Sequence, residues 1–113
     1  MKTKQDMKIA SQIIQELSLF LFFHNYQHFD ISFEEIEFEE TYTLKLKSIS
    51  DELLQFMKEK INRKREEEIE AYYWELLGDM DSTSELEIMG LFIDHLETKK
   101  FSDHIEIYLI RKH

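Results

Sequence analysis

The chain has 113 residues, of which 42% are hydrophobic and 34% charged, and it carries a net charge of −10. That length makes one compact domain, residues 1–113, with ample apolar material for a core, and the acidic field disfavours nucleic acid and anionic lipid as partners. The lack of cysteine excludes disulfides, thiolate zinc sites and cysteine nucleophiles, and two glycines with no proline leave no material for phosphate-cradling loops or nucleophile elbows.

The opening MKTKQDMKIA lacks the apolar run and small-residue cleavage site of a secretory signal. The greasiest stretch, IIQELSLFLFF, is interrupted by Gln15 and Glu16 and falls well short of the ~20 residues needed to span a bilayer. A cytoplasmic protein with no membrane partner is expected. From about Gln5 to His28, Ala10, Ile13, Ile14, Leu17, Phe20 and Leu21 recur at the helical period, and His24 and His28 extend the same stripe. Leu19, Phe22, Phe23 and Tyr26 fall on the opposite side. A helix apolar on both sides needs cover on both, and the simplest closed arrangement is a twofold dimer in which equivalent patches meet.

Period two takes over after Asp30. ISFEEIEFEETYTLKLKSI reads as a hairpin turning near Glu40, with Ile36 and Phe38, then Tyr42, Leu44 and Leu46, on the inner side. Glu35, Glu37 and Glu39 form an acidic row expected to be solvated, with Lys45 and Lys47 available for cross-strand pairs. Ser50 is placed to cap a helix running from Asp51 to a stop at Gly78, through the apolar-free stretch Asn62–Glu68. Ser84 and Glu87 have capping-box spacing for a further helix to about Lys99, in whose stripe Gly90 permits close approach of another backbone. HIEIYLIRK, alternating through Ile105, Ile107 and Leu109, is a closing strand. The expected fold is therefore α+β: a two-layer domain with a three-stranded, mainly antiparallel sheet, helices chiefly on one face, and the order α-β-β-α-α-β.

Chemistry has few candidates. Helical histidines four residues apart can begin a metal site, and His24, His28 and Asp30 are the one such cluster. No zinc-peptidase Glu adjoins them, so two neutral histidines hydrogen-bonded at a helix end are the expected arrangement. Asp79 and Asp81 in GDMDSTSE do not have calcium-loop spacing. Tyr72, Tyr73 and Trp74 lack the basic groove that would make them a base-stacking platform.

The element order, together with LEIMGLFIDHLETKKFSDHIEIYLIRK, resembles the GHKL ATP-binding domain of histidine kinases and anti-sigma-factor kinases, whose C-terminal half runs from a glycine-bearing helix start into a final strand. Met89-Gly90-Leu91-Phe92-Ile93 stands where that helix start would be. The resemblance places the family's Glu, Asn and His of the first ATP-site helix on Phe20, His24 and His28, and its Asp-x-Gly-x-Gly loop near Ser48–Asp51; only His28 and Gly90 match. A nucleotide site lost in this way implies no ATP chemistry, no catalytic residues and no cofactor. The expected function is then a non-enzymatic regulatory or adaptor domain that binds a protein partner and forms a homodimer through Leu19, Phe22, Phe23 and Tyr26. The alternative is a metal- or small-ligand-dependent enzyme or sensor using His24, His28 and Asp30.

Overall fold

A computed structural model of the chain describes residues 3–61 and 85–112. The first helix, α1, spans Lys4–Phe23 and opens with a capping box in which Thr3 and Asp6 satisfy each other's backbone N–H groups. Of the stripe expected from the helical period it buries Ala10, Ile13, Leu17, Phe20 and Leu21 but leaves Ile14 half-buried, and it buries Ile9 as well. The helix ends earlier than expected. His24 is its C-cap, and Asn25 follows with φ 65°, a left-handed conformation that Asn tolerates. The chain leaves the helical path there, so His28 does not continue the stripe.

β1 (Phe29–Ile36) and β2 (Glu39–Leu46) form the expected hairpin, but the turn lies at Glu37 and Phe38, with Glu37 at φ 55°. Phe29, Ile31 and Phe33 therefore share the inner side with Leu46, Leu44 and Tyr42, their register partners. Ile36 and Phe38, expected inside, are exposed at the hairpin tip. Glu40 is not a solvated turn residue; it sits on the inner side of β2 and is fully buried.

α2 (Asp51–Ile61) begins as expected, with the Ser50 hydroxyl accepting from the Leu53 N–H at 3.1 Å. It buries Leu54, Met57 and Ile61. The expected continuation to Gly78, the aromatic run Tyr72–Trp74, the Asp79–Asp81 loop and the capping residue Ser84 lie outside the described residues.

The long helix expected up to Lys99 is replaced by two elements. α3 spans only Glu87–Phe92, and its N-cap, Leu86, is left-handed and donates no side-chain cap. Glu87 is thus the first helical residue instead of the third. Ile93 turns the backbone to extended geometry, and β3 (His95–Lys100) follows. A turn at 101–104, closed by the Phe101 N–H to the His104 carbonyl at 2.8 Å, joins β3 to β4 (Ile105–Lys112).

The fold is α+β, with a four-stranded, wholly antiparallel sheet in the order β1-β2-β4-β3 instead of three strands. The inner face of β2 and β4, Tyr42, Leu44, Leu46, Ile105, Ile107 and Leu109, is buried in a core it shares with the apolar sides of the helices. The opposite face carries Asp30, Glu34 and Lys45 in solvent. Gly90 meets the expectation of close approach: a Cβ there would lie 2.7 Å from the Lys60 carbonyl oxygen, so α3 rests directly on the end of α2.

Candidate functional site

The end of α1 and the start of α2 frame a cleft of about 460 Å³ lined by His24, Tyr26, Ser50, Leu53, Phe56 and Glu85, with Glu52 at its rim. His24 Nε2 lies 3.0 Å from a Glu85 carboxylate oxygen. The Tyr26 hydroxyl donates to the Ser48 carbonyl at 3.1 Å. The buried Phe20 ring packs against two of the lining residues, tilted against His24 at 4.7 Å and stacked on Phe56 at 6.2 Å. The cleft therefore presents one imidazole and two carboxylates beside the rings of Tyr26 and Phe56. Of its two hydroxyls, that of Tyr26 donates to Ser48 and that of Ser50 serves as the helix cap.

The structure separates the three residues of the expected polar cluster. His24 points into the cleft, whereas His28 and Asp30 are exposed on the way into β1, where Asp30 stands across from Lys45. Among the described residues no group of three His, Asp or Glu side chains is arranged to hold a metal ion. The four residues of the second apolar side also divide. Leu19, Phe22 and Phe23 are 56%, 62% and 79% exposed, while Tyr26 is half-buried beside the cleft. Phe22 meets Phe29 edge-on at 5.2 Å, which ties this patch to the start of β1.

Two buried polar centres lie elsewhere. Glu16, 7% exposed, points its carboxylate at the first turn of α3 and accepts from the Ile88 and Met89 N–H groups at 3.0 and 2.6 Å. It replaces the local cap that Leu86 cannot provide. Desolvation pushes its pKa up to about 7, against the opposing pull of the two N–H groups. Glu87 raises it further, Lys60 lowers it, and those two are themselves paired at 2.9 Å.

The second centre joins the ends of β2, β4 and α1. The Tyr42 hydroxyl donates to Glu40 at 2.6 Å, and an Arg111 Nη lies 3.4 Å from Glu40 and 3.6 Å from Asp6. The Arg111 guanidinium also lies 5.8 Å from the Phe92 ring centroid. Burial, then the bond to Glu40, drives the Tyr42 phenol pKa far upward.

The sequence carried signals for both centres. Glu16 falls three residues after Ile13 and four before Phe20, inside the apolar stripe, and Arg111 continues the inward alternation of Ile105, Ile107 and Leu109. A charge on an inward position implies a buried partner. No rule of spacing identifies that partner, because Glu16 reaches a helix seventy-two residues away.

On the open face, His104 is held between Asp103 at 2.7 Å and Glu106 at 3.0 Å, with Phe101 stacked on its ring at 4.4 Å. Tyr108 donates to the same Glu106. Both imidazole nitrogens face carboxylates, so Asp103 first and Glu106 second raise the His104 pKa. Asp103, His104, Glu106 and Tyr108 run from the turn into β4, Asp103 exposed and the other three half-buried.

No family model, curated protein or solved structure matches this chain. Among the described residues no helix is long and apolar enough to cross a membrane.

Proposed function

We propose that this chain is a non-enzymatic regulatory or adaptor domain, working in the cytoplasm through protein–protein contact, with two copies meeting across the outer side of α1. The observation that carries this reading is the exposed cluster Leu19, Phe22 and Phe23. Burying a Leu or Phe side chain is worth roughly 1.5–3 kcal/mol, so three together make a strong adhesive surface in a domain otherwise rich in charge. The lost nucleotide site implied by the resemblance to GHKL domains fits the same reading. The positions that would hold nucleotide and metal are Phe20 and His24, and they are occupied by packing with Phe56 and by the contact with Glu85.

Light scattering tests the proposal. The wild type is expected to be a dimer, and Phe22→Ser with Phe23→Ser a folded monomer by circular dichroism. A wild type that stays monomeric at high micromolar concentration sinks it. ATP with magnesium is expected to give no thermal shift, since any ligand of the native state stabilises by mass action.

A further inference from the structure

Glu37 and Phe38 are the two central residues of the turn between β1 and β2, which Ile36 and Glu39 close as register partners. Of the two, only Glu37 has a positive φ, 55°. A two-residue hairpin turn with a positive φ at its first central position favours glycine there, and small polar residues suit the second. This turn instead holds Glu37 and then Phe38, which is 75% exposed, next to Ile36 at 61%. Single exposed apolar side chains are common. Here two share one hairpin tip, and the turn residues are not those that favour its formation.

The residues around this apolar pair decide what it fits. Ile36 shares a side of the sheet with Glu39, its register partner, and with Glu34 two residues earlier. Glu34, Glu37 and Glu39 are all exposed, and register brings Lys112 across from Glu39. The tip is therefore apolar at its end and acidic around it. Anionic lipid and nucleic acid are repelled by such a surface, and a second copy of the tip would bring acid against acid. We propose that Ile36 and Phe38 enter an apolar socket on another protein whose rim carries Lys or Arg. The Phe38 ring and the Ile36 side chain fill the socket, and the rim cations meet Glu34, Glu37 and Glu39. The proposal rests on the reading of the chain as an adaptor, but it involves none of Leu19, Phe22 and Phe23 and is tested apart from dimer formation.

The probe is a β-cyclodextrin with a primary ammonium group on every glucose unit, whose apolar cavity admits one phenyl ring and whose rim is cationic. Titrated into the isotope-labelled full chain and followed by amide NMR shifts, it is expected to bind at Ile36–Glu39 about tenfold more tightly than uncharged β-cyclodextrin does, the difference shrinking as salt is added. Glu37→Lys with Glu39→Lys should erase that difference, each variant being checked for folding by circular dichroism. Phe23, also strongly exposed, is the internal reference. Equal binding of the two cyclodextrins at Phe38, or ammonium cyclodextrin binding as tightly at Phe23, overturns the proposal. Glu37→Gly with Phe38→Asn separates a binding role from a structural one. It is expected to raise the melting temperature while losing the cyclodextrin, and a fall in melting temperature would assign the tip to the fold instead. Finally, p-benzoylphenylalanine in place of Phe38, irradiated in the cells that make the protein, is expected to form an adduct with a second protein at an apolar peptide bearing Lys or Arg, and Glu37→Lys with Glu39→Lys to abolish it. An adduct with another copy of this chain alone, or none, also overturns the proposal.

Discussion

Glu16 and Glu40 are both buried carboxylates, yet the chain accommodates them by different means. Glu40, on the inner side of β2, is met by a guanidinium and a phenol hydroxyl. Glu16, within the apolar stripe of α1, is met by two peptide N–H groups at the start of α3, and the cation that acts on it among the described residues, Lys60, is paired with Glu87. The first arrangement brings a compensating full charge into the interior. The second relies on dipoles, which hold a carboxylate in place without cancelling the cost of burying it. Glu16 is therefore left with a pKa of about 7, so its ionisation falls within the ordinary working range of pH.

The sharpest way to break the comparison is to remove the cation. Arg111→Ala leaves Glu40 buried beside Tyr42 without its guanidinium and is expected to cost about 3–5 kcal/mol in urea denaturation. Replacing Glu40 and Arg111 together by Met should recover most of that loss, because the pair then leaves no charge behind. A single-variant loss below about 1 kcal/mol would mean that the guanidinium contributes no more than a surface ion pair.

Acidity probes the dipole-held carboxylate next. The folded pKa of Glu16 is raised above the ordinary 4.5, so the stability linked to it is fully present below that value and lost as pH rises through about 7. Relative to Glu16→Gln, the wild type should gain on the order of 3 kcal/mol as pH falls from the alkaline side of this window to its acid side. Parallel stability curves for the two proteins would show that the carboxylate is better solvated than its burial implies.

Smaller effects should sharpen the contrast. Gly90→Ala brings a Cβ onto the Lys60 carbonyl, and the backbone shift it forces should cost about 1–2 kcal/mol, despite alanine's better helix propensity. That displacement would also loosen the N–H groups that hold the Glu16 pKa down, so the pH window of the variant should widen. Tyr42→Phe removes one donor from Glu40 while leaving Arg111 in place, and a loss of about 1 kcal/mol in thermal unfolding is expected. A loss as large as that of Arg111→Ala would make the phenol, not the guanidinium, the chief partner.

What could be read in advance follows the range of the interactions. The stripe of α1, the Ser50 cap, the alternation of β2 and β4 and the need for Gly90 are local patterns, and each appears in the fold. The missed features depend on distant partners or on a single backbone angle. Asn25 at φ 65° ends α1 before His28, which dissolves the expected histidine pair. HLETKK carries one strongly apolar residue, Leu96, and becomes a strand because β4 offers it an edge to pair with. The Ser102-Asp103 turn signal between two pairable runs was the local clue to that hairpin. Among the proposed interaction residues, the outward direction of Leu19, Phe22 and Phe23 was legible from helical spacing. Tyr26 was not, because it lies past the break and turns toward Ser48.

The strand order also sets the sequence of assembly. β2 acquires its second neighbour only when β4 arrives from the far end of the chain, with Leu46 meeting Ile105 and Glu39 meeting Lys112. The loop closed by that encounter is long, and its entropy must be lost before the central pairing can form. α1 and the first hairpin involve short-range contacts and can flicker into place early, leaving Tyr42, Leu44 and Leu46 uncovered until β4 joins them. Stopped-flow refolding should accordingly be slowed more by Leu44→Ala or Ile107→Ala, at the central seam, than by Leu96→Ala on β3, whose pairing with β4 is a local hairpin.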